Sequence, residues 1–190
     1  MKKLIPLFYL LFAVFGFASP EIGKEVTDFT AKTIDGKTIK LSEFKGKVVV
    51  LEWYNPTCPF IKKFYSVGKM QEFQTQVTSA GHIWITINTG GKVADLKTAV
   101  TADKNKASVV IDDTDGSIAR QFEAKTTPHC FVINREGVLV YKGAIDSIAS
   151  AKSADIDKAT NYVLAAVTAT QDNKKVEVNS TKPYGCGVKY

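Results

Sequence analysis

Cys58 stands where an apolar run, KVVVLEWY (47–54), empties through Asn-Pro-Thr into Pro59 and a segment of helical spacing. Proline is favoured at the first position of a helix, where its missing N–H is not needed, so Pro59 places Cys58 at or beside a helix N-cap. Unpaired backbone N–H groups and the positive end of the helix dipole stabilise a thiolate over a thiol. A free thiol titrates near ~8.5, and such a setting lowers that value enough to supply a nucleophile at neutral pH. Thr57 and Lys62 flank the sulfur and are the candidates for tuning it. A CxxC exchange site would carry its second cysteine at position 61, which holds Ile61. Any redox partner of Cys58 therefore lies elsewhere. Burial as a small hydrophobe is the competing role for this cysteine.

The chain has three cysteines, Cys58, Cys130 and Cys186. Cys186 sits in Gly185-Cys186-Gly187, within a polar C-terminal tail read here as flexible, from which it can fold back as a resolving thiol. The alternatives for it are a packed clasp or a permanent disulfide. Cys130 follows His129 and Pro128 at the start of a strand and reads as a core residue. A Cys58, His129, Cys130 set of soft ligands keeps open a copper or zinc binding module, but the ligand spacing of a zinc knuckle is missing, and no metal or other cofactor is expected. His82 opens a strand and reads as a surface residue.

The elements that must position these groups follow from periodicity. DFTAKTIDGKTIKLSEF (28–44) alternates on either side of Asp35-Gly36, a hairpin signature. Residues 47–54 read as a central strand covered on both faces. A helical stripe runs from Pro59 through Phe64, Gly68, Met70 and Phe73 to Val77. Strands at 82–88 and 108–112 alternate with helices at 92–101 and 115–123. A hairpin joins 131–134 to 138–142, a helix covers 154–169, and VEV (176–178) reads as a short strand. Strands alternating with helices and closing on a hairpin imply an α/β fold, a central mixed sheet flanked by helices, with an N-terminal β-hairpin extension and a C-terminal tail.

The N-terminus carries Lys2 and Lys3, an apolar run from Leu4 to Phe17, and the small residue Ala18 before Ser19. This is the pattern of a secretory signal cleaved after Ala18, too short for a comfortable membrane span. The expected organisation is a signal at 1–18, one domain at 19–170 and a tail at 171–190, periplasmic or secreted, with no membrane attachment after cleavage. The net charge is +6, of which Lys2 and Lys3 would leave with the signal. With lysines scattered and no basic stripe interleaved with aromatics, nucleic acid is not an expected partner.

Taken together, GKVVVLEWYNPTCPF, DDTDGSIARQF, TTPHCFVINREGVLVYKGAID and the GC-x-VKY ending resemble the redoxin branch of the thioredoxin superfamily, which includes the peroxiredoxin-like (AhpC/TSA-related) proteins. The resemblance spans roughly residues 22–146 and implies a thioredoxin-like fold. It implies that Thr127-Pro128 is a cis peptide facing Cys58 and exposing backbone groups to an extended thiol substrate. It further implies an exported thiol-dependent oxidoreductase acting on a thiol or disulfide, with peroxide also open, and recycled by an extracytoplasmic reducing partner. Where peroxiredoxins resemble one another in Pro-x-x-x-Thr-x-x-Cys, this chain has Leu51 and Asn55, and its only arginines are Arg120 and Arg135. Without donors aimed at the developing charge, a fast peroxidase is not expected. A thioredoxin-fold binding domain that has lost turnover is the remaining alternative.

Overall fold

In the computed structural model, residues 19–90 and 95–190 are described. The expected secretory signal, and the first residues of the helix expected at 92–101, lie outside them. The elements run β1 (Thr30–Lys32), β2 (Thr38–Lys40), β3 (Val49–Trp53), α1 (Pro59–Tyr65), α2 (Lys69–Ser79), β4 (Ile83–Thr89), α3 (Leu96–Ala102), β5 (Val109–Asp113), α4 (Ser117–Phe122), β6 (Thr126–Thr127), β7 (Cys130–Ile133), β8 (Leu139–Gly143), α5 (Tyr162–Gln171) and β9 (Cys186–Gly187).

The central sheet has the order β5-β4-β3-β7-β8. β3, β4 and β5 run parallel, and β7 and β8 are antiparallel additions. This is the expected mixed α/β architecture. β3 was read as covered on both faces, and all of its residues are buried. Its side chains alternate between the two cores as the strand period of two requires. Val50 and Tyr54 face one core with Ile61, Phe64 and Val163, while Val49, Leu51 and Trp53 face the other with Phe122 and Ile133. β7 divides in the same way, with Cys130 and Val132 on the first side and Phe131 and Ile133 on the second. The β1–β2 hairpin turns at Asp35-Gly36 and covers the outer edge of β5, through an Ile34 N–H to Val110 carbonyl bond of 3.0 Å. A covered edge offers no template for pairing with another chain.

Four local readings are corrected. The stripe from Pro59 to Val77 is two helices, because Gly68 adopts a φ of +79° that a helix interior does not allow, and α2 starts from it. The helix read at 154–169 begins as a 3-10 turn at Ser153–Lys158 and restarts as α5, where the Asn161 side chain accepts the Leu164 N–H at 2.9 Å. Such a cap satisfies an N–H orphaned at a helix start, and so marks a boundary. VEV (176–178) forms no strand; the tail pairs at Cys186–Gly187 instead. His82 is buried rather than on the surface, its Nδ1 accepting the Val48 N–H at 3.3 Å.

The tail is not loose chain. After α5 it runs along the outer edge of β8, where Lys142 N–H donates to the Asn179 carbonyl and Thr181 N–H to the Lys142 carbonyl, both at 3.1 Å. It then crosses to β6, and β9 pairs with it antiparallel, Thr127 opposite Cys186 and Thr126 opposite Gly187. Beyond that, Val188 N–H donates to the Lys125 carbonyl at 3.1 Å, and the Tyr190 hydroxyl to the Ala124 carbonyl at 2.5 Å.

Candidate active site

Cys58 is the N-cap of α1, with extended backbone (φ −73°, ψ 125°) and Pro59 in the first turn, as its sequence context requires. The sequence folds this way because β3 ends at Trp53, and Pro56 and Pro59 exclude a continued strand. The Cys58 carbonyl then accepts the first helical bonds from Ile61 and Lys62. The sulfur is buried, and Sγ lies 3.1 Å from the carbonyl oxygen of Thr127. The Thr127–Pro128 peptide bond is cis, as expected, and stands against this sulfur.

Cys186 arrives from the other side. The two-residue pairing of β9 with β6 sets it opposite Thr127, the residue whose carbonyl lies 3.1 Å from the Cys58 sulfur. Cys58, Cys130 and Cys186 are all free thiols in this state. At Gly185 the backbone has a φ of +134°, and a Cβ there would collide with the Thr127 carbonyl. Only glycine lets the tail approach this closely.

The electrostatics divide the thiols. Burial alone would raise Cys58, but hydrogen bonds from the Cys186 thiol, Thr127 and the backbone N–H groups of Cys186 and Ile61 outweigh it and hold Cys58 below the ordinary thiol value. Cys186 is pushed up to about 11, by burial first and then by its bond to Cys58 and the charge that Cys58 develops, with Lys189 opposing. One proton shared between two sulfurs gives this split: the pair ionises once easily and a second time with difficulty. Cys130 goes well above the thiol range through burial and the negative charges of Glu52 and Asp146.

Of the residues expected at the site, Cys58, Cys186, Thr127 and Pro128 are brought together. Thr57 and Lys62 are not. Thr57 turns outward, its N–H and hydroxyl donating to Asn55 Oδ1 at 2.9 and 2.8 Å, and Lys62 is exposed. Neither is among the groups that shift Cys58. The helix geometry explains the lysines: position 62 projects to solvent, while position 63, the next on the wheel, points inward. Lys63 is fully buried and pairs with Asp146 Oδ2 at 3.0 Å. His129 is bound away from Cys58, its Nδ1 accepting the Lys125 N–H at 3.2 Å, and burial with the nearby Lys125 and Lys142 charges holds it down to about 3. Among the described residues no cluster of three or more His, Cys, Asp or Glu is arranged to hold a metal ion. Arg120 lies under the Tyr190 ring, 5.5 Å from its centre, rather than beside the thiol.

A group absent from the sequence reading is Glu52, buried in β3 directly across from Cys130. Its carboxylate receives Trp84 Nε1 at 2.8 Å, the Tyr65 hydroxyl at 3.1 Å, Thr86 Oγ1 at 3.2 Å and Gln74 Nε2 at 3.3 Å. Complete burial still pushes it up to about 7. An acidic residue inside an otherwise apolar strand is the signal that could have found it.

A family model described as the AhpC/TSA family matches residues 22–142. Thiol-disulfide oxidoreductase ResA of Bacillus subtilis (strain 168) is 31% identical over 134 residues, 67% of this chain and 70% of the relative. ResA of Bacillus thuringiensis subsp. konkukian (strain 97-27) is 28% identical over 127 residues, 63% of this chain and 68% of the relative. Among solved structures, a hypothetical protein from Sinorhizobium meliloti 1021 superposes with a TM-score of 0.72 at 23% identity, over 91% of this chain and 96% of that one. The thioredoxin domain of a thiol-disulfide oxidoreductase from Bacteroides vulgatus superposes with a TM-score of 0.57 at 19% identity, over 74% and 98%. The likeness to these two structures establishes the thioredoxin-like fold.

Proposed function

The chain belongs to the AhpC/TSA family, and from that premise we propose that it is an exported thiol-disulfide oxidoreductase with Cys58 as its nucleophile and Cys186 as the resolving thiol. The observation that carries the reading is that β9 sets Cys186 opposite Thr127, whose carbonyl lies 3.1 Å from the Cys58 sulfur beside the cis Thr127–Pro128 bond, with Cys58 held low and Cys186 held high. Relatives named thiol-disulfide oxidoreductase support the reaction class.

In the proposed cycle the Cys58 thiolate attacks one sulfur of a substrate disulfide. The Cys58–substrate bond forms, the substrate S–S bond breaks, and the first substrate sulfur leaves as a thiolate that takes a proton from water. Cys186, giving up its proton, then attacks the Cys58 sulfur. The Cys58–Cys186 disulfide forms and the second substrate thiol departs. Two electrons and two protons have passed to the substrate, and a dithiol reductant outside the cytoplasm restores the pair. The high value of Cys186 suits this order, because the second thiol stays protonated until the mixed disulfide has removed the negative charge beside it. The chain lacks CxxC, so the resolving sulfur comes from the tail. Peroxide reduction is not favoured: position 55 carries Asn, its Oδ1 engaged by Thr57, and no arginine approaches the thiol.

The basic, apolar and small-residue pattern of residues 1–18 supports export, residues 19–170 the redox domain and 171–190 the tail that brings the second sulfur. No helix among the described residues is long and apolar enough to cross a membrane. The test is reduction of a mixed-disulfide peptide by the pre-reduced protein with mass mapping of the product: a Cys58–Cys186 disulfide at one equivalent per turnover is expected, and equal reduction by Cys58→Ser would overturn the reading.

A further inference from the structure

Tyr184, two residues before Cys186, reaches into a buried ion pair that the thiol chemistry does not itself require. Its hydroxyl donates to Asp146 Oδ1 and accepts from Lys63 Nζ at 3.4 Å. Lys63 spends its other hydrogens on Asp146 Oδ2 at 3.0 Å and the Ile148 carbonyl at 3.3 Å, and Asp146 Oδ1 also accepts the Ile148 N–H at 3.0 Å. The pair has almost no exposure, 0% for the Lys63 side chain and 3% for Asp146. Buried charges are tolerated when their remaining donors and acceptors are satisfied. The Tyr184 hydroxyl serves both partners at once, so the tail completes the solvation of this pair. Its ring meets Phe60 edge-on at 5.7 Å, on the first turn of α1.

Two short covalent links make this arrangement bear on the thiols. Lys63 belongs to the same helix that Cys58 caps, and Tyr184 is joined to Cys186 through Gly185 alone. The β6–β9 ladder is only two residues long, too little to fix a strand by itself. On its far side the ladder is continued by the Val188 N–H to Lys125 carbonyl bond, and Tyr190 beyond it is largely exposed. On the inward side the anchor nearest Cys186 is Tyr184, with Thr181 further back along β8.

Resting on the reading of Cys58 and Cys186 as the reacting pair, we infer that Tyr184 is a positioning residue: the Lys63–Asp146 pair latches it, and the latch both seats Cys186 on Cys58 and keeps the Thr126–Thr127 edge covered. A substrate polypeptide that pairs with this edge must first displace the Tyr184 latch, so substrate docking and resolution by Cys186 are mutually exclusive and occur in turn. The substrates that fit are extended, cysteine-bearing segments long enough to replace the tail strand.

The experiment compares the parent with Tyr184→Phe, which keeps the ring on Phe60 and removes the hydroxyl, and with Tyr184→Ala. Two quantities are read by mass spectrometry: the rate at which iodoacetamide alkylates Cys58 in the reduced protein, and the fraction of Cys58–Cys186 disulfide across a series of glutathione ratios. Tyr184→Phe is expected to speed Cys58 alkylation by about tenfold and to lower the effective concentration of Cys186 by about tenfold, with Tyr184→Ala larger in both. Cys130 alkylation should not change in Tyr184→Phe, because only the strap opens. Unchanged Cys58 alkylation and disulfide fraction in both variants would overturn the latch, as would Cys130 reacting faster in step with Cys58, the mark of general loosening. A parent that forms no Cys58–Cys186 disulfide at any ratio would instead overturn the redox reading on which the latch rests.

Discussion

Cys58 and Cys130 are the same side chain, both buried, both in one hydrophobic core cluster, and they move in opposite directions. Cys130 lies in the middle of the sheet beneath helix α5, facing the charges of Glu52 and Asp146 with no donor to offset them. Cys58 lies beside the tail strand, and the Cys186 thiol and N–H on that strand help to lower it. Burial does not decide whether a thiol reacts; the donors aimed at it do. Glu52 shows the limit of that rule. Four side chains donate to it, yet it is pushed up to about 7, because nothing but protein surrounds it.

The contrast can be broken most sharply at Cys58. Cys58→Ser should reduce disulfide turnover by at least ~10³-fold, whereas Cys130→Ser should hold it within about twofold, measured with the same peptide substrate. Cys186→Ser should slow steady-state turnover by roughly a hundredfold while trapping the mixed disulfide on Cys58, visible by intact mass.

For Glu52 the sign of the pH effect follows from its raised value. The protonated form is the one the fold accommodates, so the stabilisation is complete below the ordinary carboxylate value near 4.5 and is lost as pH rises through about 7. Urea unfolding should register a loss on the order of 3 kcal/mol over that interval. Glu52→Gln should flatten it. Gly185→Ala, forced into a φ of +134° against the Thr127 carbonyl, should cost about 1–3 kcal/mol of tail docking and return Cys58 towards the ordinary thiol value. The smallest effect sharpens the comparison from the other side: Thr57→Val and Lys62→Ala should each change the Cys58 alkylation rate by less than about twofold, since neither side chain touches the sulfur.

The strand and helix order, the Asp35-Gly36 hairpin and the thiol at a helix N-cap were legible in the sequence, because each has a local cause in period, turn chemistry or proline; the cis Thr127–Pro128 bond came only through the family resemblance. Cys186 was legible as a candidate partner, because position 61 carries Ile61 and the tail could fold back, and the structure sets it opposite Thr127. The course of its tail was not. Two residues, one of them a glycine, carry no alternation, so their pairing with β6 has no local signature, and a polar composition read as flexibility hides anchors at Thr181, Tyr184 and Tyr190. The choice of Lys62 as a tuning residue missed for a related reason. Helix geometry turns Lys63 inward and leaves Lys62 to solvent, but the Asp146 that receives Lys63 lies far along the chain, and distance in sequence conceals the pairing.

The central claim is that the Cys58 sulfur is ionised in preference to the one beside it. An NMR titration of labelled cysteine Cβ atoms in the reduced protein reads each thiol separately, without needing reagent access. The account predicts Cys58 titrating below a free thiol and Cys186 well above it, near 11. Cys58 titrating at or above Cys186 would contradict it.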